Sequence, residues 1–254
     1  MPRTLREALA SGDPLMGAWL QMPNPIAAEV AGRAGFDWVG IDTQHGQIGY
    51  ETLLAMLQAV SIGGTPAVVR VAGNDAAEIG RALDAGAQGI IVPLVDSAED
   101  AERAVDACRY PPRGHRSWGA IRHVFDHPGY TSEMGDDLTV LFVMTETATA
   151  VEHVDAIAAV DGVDVIYVGR SDLASSIGLP PSLELTDPRH IDLVRQVGTA
   201  AQRAGKWAGI HPPGPDVSSY VDMGFSIWPV YRDLPAFSAG VKESLQIARD
   251  SVSG

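Results

Sequence analysis

The sequence predicts an α/β fold, a closed (β/α)8 TIM barrel, and three observations carry that prediction. Eight short apolar runs rich in β-branched residues alternate with longer Ala/Leu/Glu-rich segments of helical periodicity, the pattern of repeated βα units around a parallel sheet. The phrases AGFDWVGID, AGAQGIIVP and DGVDVIYVG each set a glycine ahead of an apolar run, as successive units of one barrel should. The length of 254 residues matches the roughly 250 that one such barrel needs. With no linker dividing it, the chain 1–254 reads as a single domain.

The strand candidates are residues 17–20, 38–42, 67–71, 89–92, 140–144, 165–168, 207–210 and 226–230. Between them, residues 51–61, 76–85, 98–108 and 150–160 repeat apolar side chains every three or four positions, so they predict the outer helical ring. Residues 110–137 break the rhythm between the fourth and fifth strands with prolines, glycines, aromatics and bases. An irregular insertion of that length predicts a place at the active-site mouth or at a subunit contact. The Ala/Val-rich segment 236–248 predicts an amphipathic final helix.

Composition narrows the function. At 46% apolar and 20% charged residues the chain can bury a sizeable core. Its 32 acidic against 18 basic residues give a net charge of −14, which repels nucleic acid and anionic membranes. An anionic substrate would need a metal ion or a few placed arginines. The N-terminus, MPRTLREALASGDP, lacks the apolar run of a signal peptide and no stretch is long enough to span a bilayer, so the expected location is cytoplasmic. The one cysteine, Cys108, lies in an Ala-rich helical stretch and reads as a buried structural thiol.

In a barrel of this kind, chemistry gathers at the C-terminal ends of the strands. Asp42 and His45 follow the second run, Arg70 closes the third, Glu146 follows the fifth and Asp172 the sixth, so all five face one opening. Two carboxylates and a histidine there suit a hard divalent ion, and Glu146 and Asp172 are the predicted ligands. The ion would chelate a 2-oxo acid and stabilise its enolate. The plain alternative is that both carboxylates cap the helices that follow them. Arg70 needs an anion, which its forked guanidinium would find in a carboxylate or a developing oxyanion. His45, in a Gly-flanked loop, is placed for proton transfer. No phosphate-binding glycine motif is present. The two lysines, Lys206 and Lys242, fall away from the strand ends, which argues against Schiff-base chemistry.

The phrases GAWLQMPNPIAAEVAGRAGFDWVGIDTQHG, PAVVRV, AGAQGIIVP, YPPRG and AVDGVDVIYVGRSDLASSIG resemble the HpcH/HpaI aldolase/citrate lyase family, and within it the class II pyruvate aldolases acting on 4-hydroxy-2-oxo acids. The resemblance implies the same barrel. It implies Glu146 and Asp172 as ligands of Mg2+ or Mn2+, with Co2+ or Zn2+ as further options, and His45 as the acid/base. Arg70 would orient the 2-oxo acid and stabilise its enolate oxygen, while the backbone from Gly169 through Ser171 to Asp172 would receive the substrate carboxylate. Asp84 matches an aspartate paired with the histidine. Since Asp84 ends a predicted helix, it would have to act across a subunit boundary. Family members are typically hexamers with exchanged C-terminal helices, which implies a homo-oligomer here.

The sequence departs from the pattern at Met144, at Arg170-Ser171, at His211-Pro212-Pro213 and in the stretch WPVYRD at 228–233, and these leave substrate choice open. Trp19 near a strand end would shape the pocket. The reading is therefore reversible aldol cleavage and addition, with pyruvate or hydroxypyruvate as donor and an aldehyde as acceptor. The alternatives are a CoA-ester lyase of the citrate or malyl-CoA type and a non-catalytic barrel that binds a 2-oxo acid.

Overall fold

The computed structural model describes residues 3–212, 214 and 217–253. Met1, Pro2 and Pro213, which entered the reading of the N-terminus and of the His211-Pro212-Pro213 phrase, lie outside the described residues. Eight strands, β1 (Leu15–Leu20), β2 (Trp38–Asp42), β3 (Ala67–Arg70), β4 (Gly89–Val92), β5 (Val140–Thr145), β6 (Val165–Val168), β7 (Trp207–Ile210) and β8 (Ile227–Arg232), pair in parallel and in sequence order. β8 returns to β1 and closes the barrel. Every predicted run is a strand. The last extends past residue 230 because pairing resumes after a register shift between Gly17 and Ala18, which sets Tyr231 opposite Ala18 and Arg232 opposite Trp19.

The helices in chain order are α1 (Leu5–Ala10), α2 (Pro25–Arg33), α3 (Tyr50–Ile62), α4 (Ala76–Asp84), α5 (Ala98–Cys108), α6 (Ile121–Asp126), α7 (Ser132–Leu138), α8 (Ala148–Glu152), α9 (Val154–Ala159), α10 (Arg170–Ser176), α11 (Pro188–Arg203), α12 (Ser218–Asp222) and α13 (Asp233–Ser253). Short polar side chains start many of them. Asn24, Asp75, Ser97, Thr147 and Asp187 each accept a hydrogen bond from an otherwise unpaired N–H of the first turn. The helix expected over 150–160 is two short helices broken at His153, whose Nδ1 lies 2.8 Å from the Asp96 carbonyl oxygen. Among the described residues, no helix is long and apolar enough to cross a membrane.

Two cores result. One fills the space between strands and helices, and the other fills the barrel interior with Leu15, Trp19, Trp38, Val68, Phe142 and Tyr167 among others. The interior tryptophans fit because glycines face them. A methyl group on Gly17 would come 2.2 Å from the Trp38 ring, and one on Gly40 would come 2.7 Å from Trp19. Helix α1, absent from the predicted elements, plugs the N-terminal end with buried Leu5 and Leu9. Its start was written in the sequence: Thr4 and Glu7 form a reciprocal capping box.

The insertion 110–137 follows α5 and leads into β5, so it belongs to the N-terminal face and not to the mouth. The mouth half of that expectation is therefore corrected. Helices connect back to strand N-termini on this face, and so an insertion after a helix stays there. Arg109 ties it down by donating to the carbonyls of Asp136, Thr139 and Gly162. Cys108 is fully buried, and burial pushes its thiol up to about 12. It is the structural thiol that its helical setting predicts.

Candidate active site

At the C-terminal ends of the strands a cavity of about 310 Å3 is lined by Trp19, Gln21, His45, Arg70, Met144, Glu146, Tyr167, Gly169, Ser171, Asp172, His211 and Arg232, with others. His45, Arg70, Glu146 and Asp172, proposed from sequence as one site, share this cavity, as do Trp19, Gly169 and Ser171. Asp84 does not line it. It ends α4, accepts from Arg116 at 2.8 Å, and borders a separate depression together with the α5 side.

Arg70 finds its anion at the adjacent strand end. Asp42 and Arg70 are paired in register. The fully buried Asp42 carboxylate accepts Arg70 Nε at 2.9 Å and Nη2 at 2.6 Å, a bidentate ion pair. It also accepts the backbone N–H of Gln44 and His45 and the Gln21 amide. Burial alone would raise the Asp42 carboxyl, but these donors, Arg70 foremost, hold it below the ordinary carboxylate value. Asp42 thus positions both Arg70 and the loop that carries His45. Arg70 also lies over the Trp19 ring at 5.1 Å.

Glu146 is 1% exposed, and its Oε1 accepts the Leu94 N–H at 2.8 Å. Leu94 holds a left-handed backbone (φ 54°), a strained geometry for a leucine, and that turn carries the N–H aimed at the carboxylate. Glu146 caps no helix: Thr147 caps α8 and Gly169 precedes α10, so the capping alternative fails for both carboxylates, Asp172 having no cap hydrogen bond. Burial first, and then the charge of nearby Asp172, push the Glu146 carboxyl up to about 7. Neither carboxylate has an ion-pair partner among the described residues.

Two adjacent carboxylates without a counter-cation are costly to keep together, and a divalent cation would remove that cost. Gly169 shapes the seat, since a methyl group there would come within 2.1 Å of Glu146 Oε2. These residues fit Mg2+ or Mn2+, which take one or two carboxylates and leave positions for substrate oxygens and water. Among the described residues, no group of three His, Cys, Asp or Glu side chains is placed to hold a metal. The ligand set read from the sequence is the carboxylate pair Glu146 and Asp172, and His45 lines the same cavity in its separate role of acid/base.

Several lining groups were not assigned from the sequence. His211 stands edge-on to Trp19 at 4.8 Å and meets the Tyr167 hydroxyl at 3.3 Å. Burial, with Arg70, Arg232 and Arg170 adding repulsion, presses its imidazole down to about 3, so it is neutral. Arg170 is buried, donates to Tyr220 Oη at 2.7 Å and to the His211 carbonyl, and thereby ties α10 to the loop after β7. The sequence signal for His211 and Arg170 was their departure from the family's pattern.

The HpcH/HpaI aldolase/citrate lyase model matches residues 15–234. The chain belongs to that family. It is 35% identical over 237 residues to a 2-dehydro-3,6-dideoxy-6-sulfogluconate aldolase of Pseudomonas putida, covering 91% of each chain. It is 38% identical over 221 residues to a 4-hydroxy-2-oxovalerate aldolase of Rhodococcus jostii, covering 85% of this chain and 83% of the relative. The crystal structure of an HpcH/HpaI aldolase from Desulfitobacterium hafniense superposes with a TM-score of 0.88 at 26% identity over 97% of both chains. The protein is thus a carbon–carbon lyase of the divalent-metal-dependent, 2-oxo-acid aldolase type.

Proposed function

We propose that this cavity carries reversible aldol cleavage of a 4-hydroxy-2-oxo acid, with pyruvate or hydroxypyruvate as donor and an aldehyde as acceptor. The carrying observation is the pairing of buried Glu146 with the exposed Asp172 beside it, which lacks a cation, opening on the same cavity as Arg70 and His45. Glu146 and Asp172 would hold the metal. When bound there, the ion supplies Lewis-acid polarisation of the donor's 2-oxo group.

The chain's own residues supply the rest. Arg70, fixed by Asp42, presents a preorganised cation to the negative charge that develops on the donor oxygen. His45 moves the proton at C3, its loop held by the bond from its N–H to Asp42. Trp19 walls the donor position, and the Gly169, Ser171 and Asp172 backbone borders its carboxylate. A cavity of about 310 Å3 suits two small substrates and leaves a CoA nucleotide outside. The relatives' names include one substrate with an acidic sulfo group and one valerate, so the acceptor is left open.

The proposal includes one barrel domain, a cytoplasmic setting and a homo-oligomer, hexameric as the family implies. Helix α13 supports assembly, since Phe237, Val241, Leu245 and Ile247 are all more than half exposed along it. Assembly would also let Asp84 serve a neighbouring subunit's His45. Light scattering tests the mass. The reaction is tested by deuterium exchange into the pyruvate methyl group, or C3 of hydroxypyruvate, with chelated protein and with Mg2+ or Mn2+ restored. Metal-dependent exchange is expected, and its absence with both donors would overturn the reading.

A further inference from the structure

The cavity has two electrostatic poles. Glu146 and Asp172 follow β5 and β6, whereas β8 and β1 lie across the barrel mouth from β5 and carry Arg232 and Trp19 side by side in register. Both line the cavity. The Arg70 guanidinium is neutralised by Asp42, and Arg170 is turned to Tyr220 and the His211 carbonyl. The Arg232 side chain has no hydrogen bond or ion pair among the described residues, and this sets it apart from the other two.

The absence of a partner for Arg232 is not for want of a carboxylate next door. Asp233 is 3% exposed and accepts the backbone N–H of Gln21, Met22 and Leu234. Its charge is spent on closing β1 against β8, and that closure fixes where Arg232 stands. Nor do the other neighbours help: Arg232 is close enough to Arg170 and His211 that its charge opposes a positive charge on either. A partly buried guanidinium that repels its surroundings costs stability unless an anion arrives.

The charge balance says which anion. With a divalent ion on Glu146 and Asp172, and Asp42 set against Arg70, the cavity retains the two positive charges of Arg170 and Arg232. A 2-oxo acid donor brings one negative charge, and its metal-chelating end belongs at the β5 and β6 pole. The free cation at the far pole is left for the second substrate.

We infer that Arg232 binds an anionic head group on the acceptor aldehyde, so that the acceptor class is an aldehyde carrying a terminal carboxylate, sulfonate or phosphate. This rests on reading the cavity as the aldol site. Trp19 and His211, edge to face, form the uncharged wall between the two poles. The neutral state of His211 leaves Arg232 as the recognising cation there.

The test uses the Mg2+-loaded oligomer as isolated, with pyruvate fixed as donor and three acceptors: butyraldehyde, succinic semialdehyde and glyceraldehyde 3-phosphate. Donor deuterium exchange without any acceptor is measured first on the unaltered enzyme. Its absence sinks the aldol reading and this inference with it. Given exchange, the readout is kcat/KM for each anionic acceptor divided by that for butyraldehyde. Wild type should favour at least one anionic acceptor, and the preferred head group names the carboxylate or phosphate source. Arg232→Gln should lower that ratio about 10- to 100-fold, mainly through acceptor KM, as loss of a charge-assisted contact does. Arg232→Lys should retain an intermediate ratio. A wild-type ratio near one, an unchanged ratio in Arg232→Gln, or a rise confined to the pyruvate KM would each overturn the assignment while leaving the aldol reading standing.

Discussion

At the N-terminal face of the barrel, Asp164 accepts from Arg6 at 2.9 Å, from Arg109 and from the Leu141 N–H, and the same arginines donate to the Asp137 and Asp136 carbonyls of the insertion. At the C-terminal face, the two acids Glu146 and Asp172 have no cation and the guanidinium of Arg232 has no anion. At the first end the buried Arg109 meets a carboxylate; at the second these three charges meet no counter-ion among the described residues. Matching makes the N-terminal face a stable base, and mismatching makes the other face a receptor for ions and substrates. The same side-chain chemistry thus serves stability at one end and turnover at the other.

The strongest way to break this contrast is to neutralise the unmatched face. Asp172→Ala or Glu146→Gln should cut metal-dependent donor exchange by about 1,000-fold or more, the scale on which a central electrostatic group acts. In chelator at pH 8, Glu146→Gln should melt higher than wild type, by about 1 kcal/mol in stability, because a carboxylate that burial and Asp172 disfavour has gone. Unchanged turnover without added metal, or a lower melting temperature in chelator, would show that the pair is structural after all.

Asp164→Ala attacks the matched face and should do the reverse. It leaves the buried Arg109 without its carboxylate, so unfolding free energy should fall by about 3 kcal/mol, as read by urea titration. Exchange per folded molecule should hold within about twofold, a variation too small to reflect loss of a catalytic contact.

A third effect is pH-dependent. Burial, with Arg116 adding repulsion, presses His123 down to about 4, while an unfolded histidine binds its proton near 6.5. The unfolded chain therefore takes up the proton first, and stability is lost as pH falls from about 6.5 through about 4. The loss at the acid end is about 3 kcal/mol for this one group. His123→Phe, which preserves stacking on Tyr130, should flatten that part of the acid limb in calorimetric melts; an unaltered slope would remove His123 from the account. The smallest effect is expected at Asp155→Ala. This exposed carboxylate pairs with exposed Arg203 at 2.5 Å, and solvent screening should keep its loss within about 0.5 kcal/mol.

The barrel was legible because parallel strands covered on both faces must be apolar runs, and those runs are short, β-branched and regularly spaced. His45, Arg70, Glu146 and Asp172 were legible because a strand's C-terminal end is visible in the chain. What escaped depends on pairing between elements. Asp42 as the partner of Arg70 follows from register across β2 and β3, and the inward position of Arg232 follows from a register shift that no periodicity records. Helix α1 escaped for another reason: at six residues it is too short for an apolar period to stand out, although its capping box was present. The insertion was misplaced because its unusual composition marks an exception without saying which end of the barrel bears it.

Cys108 has a use beyond its place in the packing. It is the chain's only thiol, buried at the end of α5 and all but unable to ionise at neutral pH. An alkylating reagent can reach it only when the core opens, so each labelled molecule records one opening event. The slowing of that labelling by a metal ion, a donor or an acceptor would measure how tightly each is held, without a label added or a residue changed, and in the absence of turnover.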